Sequence, residues 1–370
     1  MRQKGTVGWL KHDVTNRGVT AWLLFGALLG FYLILYYGGR EIAGWHVPDV
    51  LESAARLVHL PSKWTLYGLI YTLAVTGGGI YVIQKYRHNR YQIIRTLVVI
   101  FVQATFAFSL PWILAIFEQP EYYFSYLWPL KIDYFYPSNI LAMPLPFVLY
   151  SLLGSLLMVP LLGIFYGKRW YCSWVCGCGG LANTAGEPFR HLTSKTSASW
   201  RFEKWSIHIT LGLCLFTTAL VVASFGVGDR YPQFTQAAVS VQSVYGFVVM
   251  SILSGIIGVA LYPIGGTRVW CRNFCPMAAM LGLIQKFGRY RIRVKDDMCI
   301  SCGMCTKYCE MGIDVRAYAQ KNQDFVRASC VGCGLCAEVC PRGVLRLENR
   351  WHKDPQELTM ATLLNEAYKG

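Results

Sequence analysis

The chain has 370 residues, of which 54% are hydrophobic and only 15% charged, with 35 Lys and Arg against 20 Asp and Glu. An ordinary soluble domain carries about 25% charged residues; here the apolar excess comes in blocks of about twenty, the length that crosses a hydrocarbon layer. The basic residues flank those blocks instead of forming one stripe, which argues against nucleic acid as a partner, and the fourteen cysteines carry metal-site spacings, not those of a secreted disulfide framework.

Six segments are expected to span a membrane, near Ala21–Tyr37, Trp64–Ile83, Thr96–Ile116, Pro144–Tyr166, Trp205–Gly226 and Val244–Gly265, none of which contains Asp, Glu, Lys or Arg. The first lacks a small-residue cleavage site and reads as an uncleaved anchor. Residues 1–19, the turn Lys85–Arg95, the loop 167–204 and everything after Gly265 hold 30 of the 35 basic residues; Arg40, Arg56, Lys63, Lys131 and Arg230 hold the rest. By the positive-inside bias, both termini face the cytoplasm, with membrane lipids around the bundle. The expected location is a bacterial cytoplasmic (inner) membrane, crossed several times.

Between the spans, residues 48–58 read as a short amphipathic helix on the outer surface. The aromatic loop 118–143 reads as an interfacial belt. Gly26/Gly30 and Gly163/Gly167 have the four-residue spacing of close helix packing. Pro111, Pro160 and the Gly77–Gly79 run are expected to kink or thin their helices.

Two internal repeats carry the chemistry. Cys299-x2-Cys302-x2-Cys305-x3-Cys309 recurs as Cys330-x2-Cys333-x2-Cys336-x3-Cys340-Pro341. Three thiolates on a tight loop reach one iron–sulfur cubane, and the fourth, on the helix that follows, points toward the other. The expected sets are therefore Cys299, Cys302, Cys305 with Cys340, and Cys330, Cys333, Cys336 with Cys309, holding two [4Fe-4S] clusters. Zinc is the alternative, but it rarely takes three ligands from one such run.

The second repeat is Gly-x-Arg-x-[aromatic]-Cys-x3-Cys, carried once by Gly167, Arg169, Cys172 and Cys176 and again by Gly266, Arg268, Cys271 and Cys275. Each copy supplies two sulfurs on one helical face, half of a four-ligand site. The expectation is one shared centre at the cytoplasmic membrane face, an iron–sulfur or other metal centre, with each flanking Arg offsetting thiolate charge. Iron–sulfur, zinc and Cu(I) all suit four thiolates. Cys178 is an extra thiol without a counterpart, either an alternative ligand or a small side chain. Cys214 reads as a buried hydrophobe. His208, the one His clearly inside a span, reads as packed, with a quinone contact or a partner of the loop cysteines as the alternatives.

On these motifs, over about residues 165–345, the chain resembles the NapH/NosR-type membrane polyferredoxins. The resemblance implies that Cys172/Cys176 and Cys271/Cys275 stand for that family's paired motifs, and Cys299 to Cys340 for its ferredoxin ligands. Gly177 and Glu310 replace the prolines of the family pattern, and the outer loops are too short for the flavin domain of its nitrous-oxide-linked members. The expected fold is mainly α, a six-helix transmembrane bundle with a small α+β bacterial-type ferredoxin module at the C-terminus. The division is 1–19, a bundle domain 20–266, a connector 267–297 with the second paired motif, the module 298–350 and a tail 351–370. The expected function is electron relay between the cytoplasm or the quinone pool and a membrane or extracytoplasmic redox partner, as an electron-transfer subunit of an oxidoreductase complex. The alternatives are an assembly factor that reduces copper for an oxidase, and a redox sensor. Basic residues including Arg268, Arg291, Arg293 and Lys295 are expected to set the cluster potentials.

Overall fold

A computed structural model of the chain describes residues 12–350 apart from 43, 44, 121 and 229; most of the expected N-terminal segment and the whole tail 351–370 lie outside the described residues. Among the described residues, six helices are long and apolar enough to cross a membrane: α1 Val19–Tyr37, α2 Lys63–Lys85, α3 Arg90–Ile116, α4 Leu145–Tyr166, α5 Ser197–Val227 and α6 Pro232–Ala260. Three of their starts are encoded locally by capping side chains: Ser62 accepts the Thr65 N–H, Asn89 that of Gln92 and Thr196 that of Ser199. Helix α6 begins well before the expected Val244, because the polar stretch after Pro232 continues the helix beyond its apolar block. Proline at the first helical position suits that start.

Pro111 and Pro160 each lie just beyond a widened stretch of helix. A π-helical stretch, Gln103–Ser109, runs up to Pro111, and another, Gly154–Met158, precedes Pro160. Proline lacks the N–H and crowds the carbonyl one turn back, and a wider turn relieves both. The glycines divide by surroundings. Gly78 lies against the backbone of Thr184 and Ala185 and Gly163 against Leu281 and Ile284, whereas Gly26 and Gly30 have nothing within 4 Å, so the first expected packing pair makes no such contact. Between α1 and α2, the helix Val50–Leu57 forms as expected, capped by Asp49, which Lys63 holds at 2.7 Å.

The loop 118–143 departs from the expected belt. Tyr122, Leu127, Leu130, Ile132, Tyr134 and Tyr136 are all buried. The Trp128 N–H donates to Ser155 Oγ at 3.0 Å, its indole N–H to Thr218 Oγ1 at 3.2 Å, and the Cys214 thiol to the Pro129 carbonyl at 3.5 Å. Ser155 is about 15 Å along α4 from its Leu145 end at 1.5 Å per residue, so this segment dips into the bundle. Non-helical backbone is tolerated at that depth only where protein groups satisfy it, and these side chains do so.

From the opposite end, the segment after α4 folds back as well. Tyr71 Oη donates to the Gly177 carbonyl at 2.8 Å and Gln103 Nε2 to the Val175 carbonyl at 2.6 Å. Tyr71 lies about 21 Å along α2 from its Lys85 end by the same rise. The two inserted segments meet at Tyr171, whose hydroxyl donates to the Ser125 carbonyl at 2.9 Å and takes the Leu127 N–H at 3.3 Å.

The C-terminal module closes with an antiparallel pair, Tyr290–Val294 with Leu345–Asn349, in the register Tyr290 to Asn349. At the same end of the bundle, Arg17 donates to the carbonyls of Ile264 (2.8 Å) and Leu192 (2.9 Å). The N-terminal segment, the loop after α4 and the chain after α6 thus share one end. A valine at Gly78 would force the Ala185 backbone to move; Gly78→Val should cost about 1–3 kcal/mol, seen as a lower unfolding midpoint in detergent, while Gly77→Ala, with open space beside it, should leave the midpoint unchanged.

Candidate functional site

Each cysteine run is shaped by a left-handed glycine. Gly303 (φ +74°) and Gly334 (φ +79°) start the short helices Met304–Lys307 and Leu335–Glu338, and Ser301 and Gly332 repeat a positive φ two residues earlier. That turn gathers the three thiols of each run on one side. One cavity, about 350 Å³ measured out to open solvent, is lined by Cys299, Cys302, Cys305 and Cys340; another, about 370 Å³, by Cys309, Cys330, Cys333 and Cys336. Three thiols in each come from one run and the fourth from the other. Among the described residues, no three His, Cys, Asp or Glu converge closely enough for a single metal ion. The thiols instead surround spaces, which suits a body of several atoms.

The cavities differ in exposure. Cys302 is exposed, and Arg316 and Arg342 stand in solvent at the rim of the first cavity. The second faces the bundle. Gln92 Nε2 and Arg95 Nη1 both donate to the Cys333 carbonyl at 2.8 Å, Tyr91 Oη to that of Gly332 at 2.8 Å, Gln285 Nε2 to that of Cys330 at 3.2 Å, and Ser173 Oγ to that of Val331 at 2.6 Å. We call them the outer and inner cavities.

The paired motifs are built alike. Gly167 (φ +68°) and Gly266 (φ +91°) reverse the chain at the ends of α4 and of the short helix Tyr262–Gly265. Cys176 and Cys275 then occupy the cap positions of the helices Gly177–Asn183 and Pro276–Ile284, and Cys275 Sγ accepts the Ala278 N–H at 3.4 Å. Cys172, Cys176, Cys271 and Cys275 are buried together in one core. Burial pushes the Cys172 thiol up to about 12 and raises Cys271 and Cys275, each further opposed by its sulfur neighbours. Cys176 is held low, first by a hydrogen bond from Cys178. Four thiolates here would need compensating positive charge.

That charge is present, though not where the repeat suggests. Arg268 is fully buried; its Nη1 reaches the Cys172 carbonyl at 3.2 Å and Cys271 Sγ at 3.8 Å, and its Nη2 donates to Asn183 Oδ1 at 3.1 Å and Glu310 Oε1 at 3.0 Å. Its counterpart Arg169 instead lies over the Tyr290 ring at 4.8 Å and donates to the Tyr166 carbonyl, so the expectation of two equivalent arginines is corrected. The buried Lys168 takes that place, close enough to lower the Cys172 pKa, with Nζ donating to the Ala328 carbonyl at 3.1 Å. Glu310, one residue beyond Cys309, pairs with Arg190 at 3.1 Å as well as with Arg268. Arg293, expected near the clusters, is the exposed residue of its strand and pairs with Glu348 and Asp324. His208 sits at an exposed position on α5, and Cys214 is buried as expected.

Lys168, Arg95, Arg190 and Glu310 escaped the sequence reading. The first three look like ordinary positive-inside residues; the one available signal was Glu310 standing where the second run has Pro341.

Residues 292–347 match a family model described as a 4Fe-4S dicluster domain, and residues 138–196 and 245–295 match one described as a 4Fe-4S binding domain. The second match covers both paired motifs. The chain is 24% identical over 153 residues to an Escherichia coli K12 protein provisionally named electron transport protein YccM, covering 40% of this chain and 43% of that one. It is 27% identical over 166 residues to the methylamine utilization ferredoxin-type protein MauN of Paracoccus denitrificans, covering 43% and 54%, and 25% identical over 152 residues to an uncharacterised protein of Methanocaldococcus jannaschii, covering 41% and 55%. The chain therefore spans about half the length of the curated relatives it matches. No solved structure matches. The chain thus carries ferredoxin-type 4Fe-4S domains and has distant relatives named for electron transport.

Removing Glu310 would leave two buried guanidinium groups without their shared carboxylate. Glu310→Ala should cost about 3–5 kcal/mol, measured as a lower midpoint of thermal unfolding in detergent, whereas Arg293→Ala, on the exposed strand, should cost less than about 1 kcal/mol.

Proposed function

We propose that this protein is a membrane-embedded iron–sulfur electron conduit. The observation that carries the reading is the division of eight cysteines between two cavities, each taking three thiols from one run and one from the other. Cys299, Cys302, Cys305 and Cys340 would hold one [4Fe-4S] cluster, and Cys330, Cys333, Cys336 and Cys309 the second. The clusters would supply one-electron redox chemistry; the chain's own residues dock the inner cavity against α3, with Arg95 donating to the Cys333 carbonyl and Glu310 in the lining. Cys172, Cys176, Cys271 and Cys275 are the ligands proposed for a third centre, lying within the bundle instead of on its face. The link from Ser173, next to Cys172, to Val331, next to Cys330, supports a path from the inner cavity to that centre.

The resemblance to the NapH/NosR-type proteins supports a role as a redox subunit beside other membrane or extracytoplasmic redox proteins, with quinone a candidate partner. The basic residues at the shared end support a cytoplasmic module and cytoplasmic termini in a bacterial inner membrane.

Iron and acid-labile sulfide in the purified full-length protein should reach about eight of each from the module alone. Cys340→Ser should disturb the spectroscopic signal that Cys302→Ser disturbs; a loss confined to the signal governed by Cys333 would refute the crossed assignment. Cys172→Ser and Cys271→Ser should abolish one and the same further signal and leave both module signals intact. Two separate losses would mean independent centres.

A further inference from the structure

Buried positive charge lies beside the inner cavity and the paired cysteines. Arg95, Arg190, Lys168 and Arg268 are each no more than 1% exposed. Two buried carboxylates stand among these four cations: Glu310, which lines the inner cavity and pairs with Arg190 and Arg268, and Glu187, which pairs with the exposed Lys85 at 2.8 Å. Arg190 is the most exposed energetically: it faces Glu310 at 3.1 Å, yet none of its three guanidinium nitrogens makes an aligned hydrogen bond. Arg95 donates to the Cys333 carbonyl through Nη1, while its Nε has no partner. Buried cations with so few anions are costly unless a further negative body lies beside them. Thiolate-ligated clusters are such bodies, and they become more negative on reduction.

The outer cavity has a different setting. Its basic residues, Arg316 and Arg342, stand in water, where a charge acts through a high dielectric and is screened by salt within about 8–10 Å. The same unit of charge therefore favours the reduced state far more at the inner cavity than at the outer one.

Resting on the cluster assignment above, we infer that Arg95 and Arg190 hold the inner cluster at a higher reduction potential than the outer one, so that electrons entering at the exposed end of the module run toward the membrane-embedded cysteines. The step transfers one electron: the outer cluster is oxidised by one, the inner reduced by one, and no bond or proton moves. A one-electron donor protein docking at the exposed end supplies the electron. Arg95 and Arg190 act as positioning residues for charge; neither is a ligand.

The test is a dithionite titration of the full-length protein in detergent, followed by electron paramagnetic resonance, with Cys302→Ser marking the outer signal. The inner signal should have the more positive midpoint. Arg190→Gln and Arg95→Gln should each shift its reduction equilibrium at least tenfold toward the oxidised form, about 59 mV for a one-electron couple, and leave the outer midpoint in place. Arg190→Lys, which keeps the charge, should restore most of the shift, a result that a merely structural role would not give. If the wild-type inner signal has the lower midpoint, the inference is overturned while the cluster assignment stands, and this comparison holds even if a variant fails to fold. Purified protein without iron would overturn both.

Discussion

Glu310 holds two guanidinium groups in a place that water does not reach. Arg268 connects it to the paired cysteines through Cys271, and Arg190 is near enough to Cys333 of the second run to act on it electrostatically. Much of the architecture follows from this arrangement. The module docks with its inner cavity against α3 because the charges that meet it are there, and the inserted segment after α4 is held by the residues that line the same pocket. A buried ion group of this kind is weak evidence for stability, since hydrophobic replacements often do as well. Its value lies in charge placed where low dielectric makes it count.

The two segments that fold back into the bundle solve one problem from opposite sides. Thiols placed inside a helical bundle must be carried there on backbone that is not entirely helical, and each carbonyl or N–H freed in doing so must find a partner. Tyr171 settles two of those groups at once, and Tyr71 and Gln103 settle two more. Residues that look like a run of aromatic anchors are therefore supports for the cysteine-bearing turn.

The relation between the repeats is geometric as well as textual. In the module, left-handed glycines recur at matching positions and produce matching turns; in the bundle, Gly167 and Gly266 do the same. The departures from symmetry are as informative as the matches. Lys168 replaces Arg169 beside the thiols because Arg169 is drawn onto Tyr290, a residue of the closing strand pair, and Glu310 replaces proline where its carboxylate can reach two arginines. One copy of each repeat has thus been fitted to join the module to the bundle.

The sequence by itself determined the features written in local spacing. Six apolar blocks of membrane length and the two cysteine repeats follow from residues a few positions apart, where backbone geometry leaves few choices. Only the tertiary structure decided what depends on burial. An aromatic run such as Tyr122–Tyr136 reads the same whether it floats at the headgroups or dips between helices, because both settings reward large amphipathic rings. Arg95, Lys168 and Arg190 read as topogenic charges on a cytoplasmic rim, and nothing in their neighbours along the chain says that they are closed off from water. That is a property of segments brought together from α3, the turn after α4 and the module, and it changes the same positive charge from a solvated marker of orientation into a force on the thiols beside it.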